Sequence, residues 1–326
     1  MLETILIKSP YRISFFGGGT DFPEFFNKHP SSILSTTINK YCRISCRKLP
    51  PFFQHKHRFV YSKIELVNRL DEIEHPSIKA VLQHLEVSTG LEIQHFGDLP
   101  ARSGIGSSSS FTSAILKGVL ELYKKKISEE ELARLTIYIE REVSKEAVGM
   151  QDQIAVTYGG LNEINFKNQN DFSVRKIDVD KRKLSEFQNS LMLFFTGIQR
   201  YSDEITLDHI NKIEKNNSNL MDISAIAKKG IQSLESGDEI KILGDLLKET
   251  WKIKRGLTTK STNPIIDEIY SAAMAEGAFG GKLLGSGGGG FLLFIVPPEK
   301  RIKIQNRLSN LVHVPFTFEN SGTSLM

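Results

Sequence analysis

Between positions 98 and 116 the chain reads DLPARSGIGSSSSFTSAIL, and no other stretch narrows the fold as much. A strand reading, LEIQHF, ends at Phe96 just before it. A loop with Gly104 and Gly106 follows, and Ser107 to Ser110 open a helix. Phe111, Ala114, Ile115, Val119 and Leu122 then form the apolar stripe of that helix. The two glycines let backbone N–H groups turn toward one point. The helix N-terminus adds unsatisfied donors and partial positive charge, and the serines add hydroxyls. Such a place suits a polyphosphate. Plain serine capping after a glycine turn is the other reading, although one serine would suffice for a cap.

The standard nucleotide motifs do not describe this loop. A Walker loop needs a Gly-Lys-Ser/Thr ending, and the loop has no lysine. Lys282 does follow Gly281, but Glu276 stands where the first glycine should be. GSGGGG at 285–290 matches G-x-G-x-x-G, yet FLLFIV after it reads as a strand where a dinucleotide fold requires a helix. Two readings of that glycine loop remain: a hairpin kept small for steric reasons, or a backbone that approaches a ligand closely.

Two further clusters carry possible chemistry. In SPYRISFFGGGTDF, 9–22, Gly17 to Gly19 follow a strand and lead to Thr20 and Asp21. The aspartate either meets a polar ligand such as sugar hydroxyls or caps a turn. In YIEREVSKEAVGMQDQIA, 138–155, Glu140 lies at the border of a helical stripe, where it can face a cleft, and Asp152 precedes an apolar helix start. A solvated glutamate and a helix-capping aspartate are the alternatives. His55 and His57 lack a Cys or acidic partner for a zinc site. Trp251 reads as a core anchor, and Lys124 to Lys126 as a solvated helix end.

The rest of the chain sets the class. Short β-branched or aromatic strands (TILIKS, ISFF, SSILSTTI, YCRISCR, RFVYS) fill the first 65 residues. Helices are expected at 77–87 and from Ser128, which has Glu131 for a capping box. Mixed strands return at 159–196, charged amphipathic helix fills 203–276, and VHVPFTF forms a last strand. Strands in both halves with helices between them give an α+β fold. A length of 326 residues suggests two domains or one large one, and the two-domain division is placed at 1–185 and 186–326. The 42 basic and 38 acidic residues leave a charge of +4, too small to argue for nucleic acid or a membrane surface. No apolar run approaches the ~20 residues of a membrane span. Two cysteines, Cys42 and Cys46, allow no disulfide framework and fit a reducing cytoplasm.

Taken together, PYRISFFGGGTD, PARSGIGSSSS and KLLGSGGGGF, with GMQDQ between the second and third, resemble the GHMP kinases along the whole chain. Within that family the chain is most similar to the sugar 1-kinases, through FFGGGTDFPEFF, TGIQRYSDEI and LLKETWKIKRGL. The missing Glu in GGGTD argues against galactose. The resemblance implies an N-terminal domain like ribosomal protein S5, a ferredoxin-like C-terminal domain and a site between them. It implies ATP and Mg²⁺ as cofactors. The activity implied is phosphorylation of the C1 hydroxyl of a heptose 7-phosphate, for nucleotide-activated heptose. A fucokinase- or galactokinase-like enzyme is the alternative, and a non-catalytic sugar sensor a remote one.

Roles follow from matching positions. Asp152 matches the catalytic aspartate and Arg12 the basic residue that offsets developing charge. Arg102, Ser103, Gly104, Ile105, Gly106, Ser107, Ser108 and Ser109 would hold the ATP phosphates. Ser108 and Glu140 match the magnesium ligands. Gly18, Gly19, Thr20, Asp21, Arg200, Ser286, Gly287 and Gly288 would meet the substrate. Arg200, Arg102 and Lys282 are candidate readers of the 7-phosphate. The expected partner is thus a small sugar phosphate, not nucleic acid or membrane; the sequence does not address oligomeric state.

Overall fold

The structure is a computed structural model and describes residues 4–168, 171–199 and 203–326. Its strands are β1 (Thr4–Phe16), β2 (Ser31–Lys48), β3 (His57–Val60), β4 (Ile64–Val67), β5 (Leu91–Gly97), β6 (Asn162–Asn168), β7 (Asp171–Lys176), β8 (Leu191–Phe195), β9 (Gly280–Leu283), β10 (Phe291–Ile295), β11 (Val312–His313), β12 (Phe318–Glu319) and β13 (Ser324–Leu325). Its α-helices are α1 (Pro23–Phe26), α2 (Pro76–His84), α3 (Ser107–Leu122), α4 (Glu129–Tyr138), α5 (Gln151–Tyr158), α6 (Lys181–Ser190), α7 (Asp203–Asn211), α8 (Asn217–Ser236), α9 (Ile240–Leu257), α10 (Pro264–Ala275) and α11 (Arg301–Arg307).

Among the described residues, one sheet runs β13-β1-β2-β5-β3-β4, with β6, β7 and β12 joined at β2, and a second runs β11-β8-β10-β9. Both have helices packed on them, which is the expected α+β architecture. The expected division at 185/186 falls inside α6, and the chain's last strands, β12 and β13, return to the first sheet. Residues 318–325 therefore tie the two halves together.

Three sequence expectations need correction. TILIKS and ISFF are one strand, β1, and SSILSTTI and YCRISCR are one strand, β2. Pro10 does not end β1; the ladder absorbs it through a register shift between Pro10 and Tyr11, since proline withholds an N–H but can sit at a bulge. The Asn39–Lys40 signal does not break β2, because Asn39 bonds in both directions to Thr317 across the chain. VHVPFTF, in turn, is not one strand. Its first part pairs with β8 and its last with β2, on either side of Pro315.

Packing follows period. In β2, Cys42, Ile44 and Cys46 face in as expected, with thiols that burial holds well above their usual range. In β8, Leu191 and Leu193 join the main core while Met192 and Phe194 join the core under α10, so both faces are buried. The main core also takes Leu243 and Leu247 of α9 and Leu293 of β10, and so runs unbroken between the sheets. Trp251 is buried in the second core, as expected. Gly256, exposed in the last turn of α9, has open space where a Cβ would stand. Gly256→Ala is expected to raise stability by about 0.5–1 kcal/mol, read as a higher midpoint in thermal unfolding; a lower midpoint would contradict it.

Candidate active site

The bulge in β1 sets the geometry. Beyond it, Arg12 donates its backbone N–H to Ile105 O at 3.0 Å, so the strand edge carries the 104–106 loop. The loop follows a left-handed path, with φ of +80° at Gly104 and +73° at Gly106, a region open to glycine at little cost. The Arg12 side chain, 4% exposed, then makes three bonds. Nη1 donates to Gly104 O at 2.5 Å, while Nε and Nη2 donate to the two Asp152 oxygens at 2.7 Å each. A bidentate arginine fixes the orientation of a carboxylate as well as its charge. Asp152, in the first turn of α5, faces a cleft of about 1180 Å³, its open mouth included.

Gly18, Gly19, Asp21, Arg102, Gly104, Gly106, Ser107, Ser108, Ser109, Gly285 and Ser286 share that cleft with Arg12 and Asp152. Arg12, Ser108 and Asp152 thus converge as expected. Asp21 is 2% exposed; its Oδ1 accepts from Gly19 N at 3.0 Å and its Oδ2 from Gln151 N at 3.4 Å. Burial, then the charge of Asp152, raises its pKa. Three buried polar atoms on cleft residues, Ser14 Oγ, Gln151 Oε1 and Ser286 Oγ, have no hydrogen-bond partner among the described residues. Such atoms are costly unless a ligand or water meets them.

Other expected residues lie elsewhere. Ser103 is buried and donates to Pro100 O, Ile105 is core, and Thr20 donates to Gly17 O. Gly287 and Gly288 close on Ser261 rather than lining the cleft: Gly288 N donates to Ser261 O, and a Cβ on Gly287 would stand 2.7 Å from Ser261 Cα. The steric reading accounts for Gly287, and a φ of +74° accounts for Gly288. Arg200 lies outside the described residues.

Glu140 is fully buried in a π-turn, Ile139–Val143, that continues α4. Its Oε2 accepts from Ser109 Oγ at 2.9 Å and from Gln153 Nε2 at 2.6 Å, while Oε1 has no partner among the described residues. Ser108 instead turns its hydroxyl to Glu146 Oε2 at 3.5 Å. Burial, then the charge of Glu146, pushes Glu140 up to about 8. Two glutamates and a serine hydroxyl are hard oxygen donors beside the phosphate loop, a set that suits Mg²⁺. The orphaned Oε1 fits the same cation.

The GHMP kinases N terminal domain matches residues 72–160, and the GHMP kinases C terminal matches residues 231–313. The chain is a GHMP kinase. It is a phosphotransferase that uses ATP and an alcohol acceptor. This GHMP kinase is 28% identical over 314 residues to D-glycero-alpha-D-manno-heptose 7-phosphate kinase of Campylobacter jejuni, covering 93% of this chain and 92% of that one. It superposes on a D-glycero-D-manno-heptose 1-phosphate kinase from Bacteriodes thetaiotaomicron with a TM-score of 0.80 at 24% identity, over 99% and 98% of the two chains. Galactokinase from Lactococcus lactis, complexed with galactose, gives a TM-score of 0.77 at 14% identity, over 99% and 95%. No helix among the kinase's described residues is long and apolar enough to cross a membrane.

Sequence reasoning passed over Gln151, His209, Lys254 and Glu146. His209 of α7 donates Nε2–H to Gly19 O at 3.0 Å, and burial lowers its pKa. For Lys254 a signal existed: it occupies the buried stripe of α9 with Leu247, Thr250, Trp251 and Leu257. A lysine in an apolar stripe is unusual enough to mark.

Proposed function

We propose that this kinase transfers the γ-phosphoryl group of ATP to the anomeric C1 hydroxyl of D-glycero-D-manno-heptose 7-phosphate. The product is the 1,7-bisphosphate, which would serve nucleotide-activated heptose synthesis for a surface polysaccharide. The carrying observation is the Arg12–Asp152 pair, locked against the phosphate loop and facing the same cleft as Asp21 and His209. The heptose choice draws on the Campylobacter jejuni relative.

Phosphoryl transfer needs positioning and charge neutralisation more than covalent chemistry. The amides at 104–109 and the Ser107 hydroxyl, which accepts from Arg102 N and keeps its own proton to donate, hold the phosphates at the start of α3. Asp152 takes the proton of the attacking hydroxyl; each of its oxygens keeps a second lone pair although Arg12 occupies the first. Arg12 offsets the charge that develops on the transferred group. Asp21, oriented by Gly19 and Gln151, receives sugar hydroxyls. Mg²⁺ would be held by Glu140 and Ser108, with Glu146 beside them, and would supply charge neutralisation across the phosphates. Ser109 and Gln153 orient Glu140 for that task.

Glu140→Gln is expected to raise the half-saturating Mg²⁺ concentration roughly 10- to 100-fold. Titration of Mn²⁺ binding by electron paramagnetic resonance, alongside the activity titration, checks this. Unchanged curves would remove Glu140 from the metal site. The substrate is tested with purified protein, Mg-ATP and a panel of heptose 7-phosphate, free heptose, fucose and galactose, the new phosphate being located by NMR. Transfer to C1 of heptose 7-phosphate is the expected outcome. A preference for fucose or galactose would replace the heptose reading, and tight binding without turnover would point to a sensor.

A further inference from the structure

The roles above leave two buried lysines unused. Lys254 is 8% exposed and Lys282 is 1% exposed, and both line the cleft. Removing an ammonium from water is expensive unless an anion or a set of acceptors compensates. Lys282 Nζ donates to Ser14 O at 2.8 Å and Phe15 O at 3.1 Å, which ties β9 to the end of β1. Lys254 Nζ donates to Gly285 O at 2.5 Å. Burial, followed by the charges of Lys254 and Arg12, lowers the pKa of Lys282 well below its usual value, with Asp21 opposing. These groups therefore feel one another.

The charge on the walls is uneven. Among the described residues, Arg12, Arg102, Lys254 and Lys282 line the cleft together with two carboxylates, Asp21 and Asp152. Hydroxyls share the cleft wall with Lys254: Thr258 and Ser261 follow the end of α9 and are hydrogen-bonded to each other at 3.1 Å, and Ser286 follows the carbonyl that Lys254 holds. Ser286 Oγ is buried, partnerless among the described residues, and belongs to the cleft wall. A cation, an orphaned hydroxyl and the one hydroxyl proton that the Thr258–Ser261 pair leaves unspent are donors suited to a phosphate monoester. The charge of Lys254 also reaches His209, which holds Gly19 of the sugar-side loop. Gly285, whose carbonyl Lys254 takes, packs in turn against Gly104, so Lys254 is linked both to the sugar-side loop and to the phosphate loop.

We infer that Lys254, with Ser286 and the Thr258–Ser261 pair, forms a subsite for the phosphate carried by the sugar itself, and so selects a sugar phosphate over a free sugar. Lys282 is a positioning residue that ties β9 to the end of β1 through Ser14 O and Phe15 O. This inference rests on the heptose 7-phosphate reading.

The test compares wild type with Lys254→Gln and Lys254→Arg on heptose 7-phosphate and on free heptose. Calorimetric titration of each sugar without nucleotide accompanies the kinetics. For Lys254→Gln, kcat/KM on heptose 7-phosphate should fall roughly 10- to 100-fold, mainly through KM. The loss on free heptose should be at least about tenfold smaller, and KM for ATP should stay within about twofold. Lys254→Arg should recover part of the loss. Equal losses on the two sugars would overturn the subsite while leaving the heptose reading intact. A matching rise in KM for ATP would assign Lys254 to the nucleotide instead. If wild type itself prefers free sugar, the reading and the subsite fall together.

Discussion

Asp152→Asn is expected to lower kcat roughly 10³- to 10⁴-fold while leaving ATP binding nearly unchanged. The substitution keeps the shape of the side chain and removes its charge. It also turns an amide NH₂ toward one of the two Arg12 donors that now meet oxygens at 2.7 Å, so one of the two bonds becomes donor against donor. The variant thus loses its proton acceptor and the alignment of its neighbouring cation together. ATP affinity should survive, because the phosphate loop is built from backbone amides and serines at the start of α3. Steady-state kinetics and calorimetric titration of ATP separate the two quantities. A variant that kept near-full turnover would show that the acceptor hydroxyl gives its proton to something else.

Legibility in the sequence tracked how local the determinant was. Gly104, Gly106 and the serines of 107–110 announce their loop because turn, helix start and donors lie within a few residues. Asp152 was different: its neighbours allowed a cap, and only the resemblance gave it a role. Glu140 shows a limit of periodicity. Read on a regular helix it borders the stripe and faces a cleft, but the π-turn at Ile139–Val143 carries it inside to Ser109 and Gln153. Nothing in IEREV marks that extra residue per turn. Asn39 is the same lesson in a strand, since the partner that keeps β2 continuous is Thr317, far along the chain. Lys254 was visible as an anomaly in its stripe, but its meaning depends on Gly285 and Ser286, which only the tertiary fold brings near.

Gly106→Ala should separate catalysis from folding more sharply than any charge change. At φ +73° an alanine is strained, at a cost of about 1–2 kcal/mol. Its Cβ would also stand 2.9 Å from Arg12 Cγ and 3.5 Å from Asp152 Oδ2. Arg12 has little room to yield, because its guanidinium is held by Gly104 O and by both Asp152 oxygens. The expected result is a folded protein, a few degrees less stable, whose kcat is lower by about 100-fold, the usual consequence of misplacing a reacting group by about 1 Å. Assays well below the unfolding midpoint keep the two effects apart. Gly256→Ala, whose added methyl meets open space, is the control that adds a Cβ without touching the loop. Should Gly106→Ala turn over within about threefold of wild type, the loop, Arg12 and Asp152 would not be the single mechanical unit their hydrogen bonds describe. The proton acceptor would then have to be sought elsewhere on the cleft wall, with Asp21 the first group to substitute.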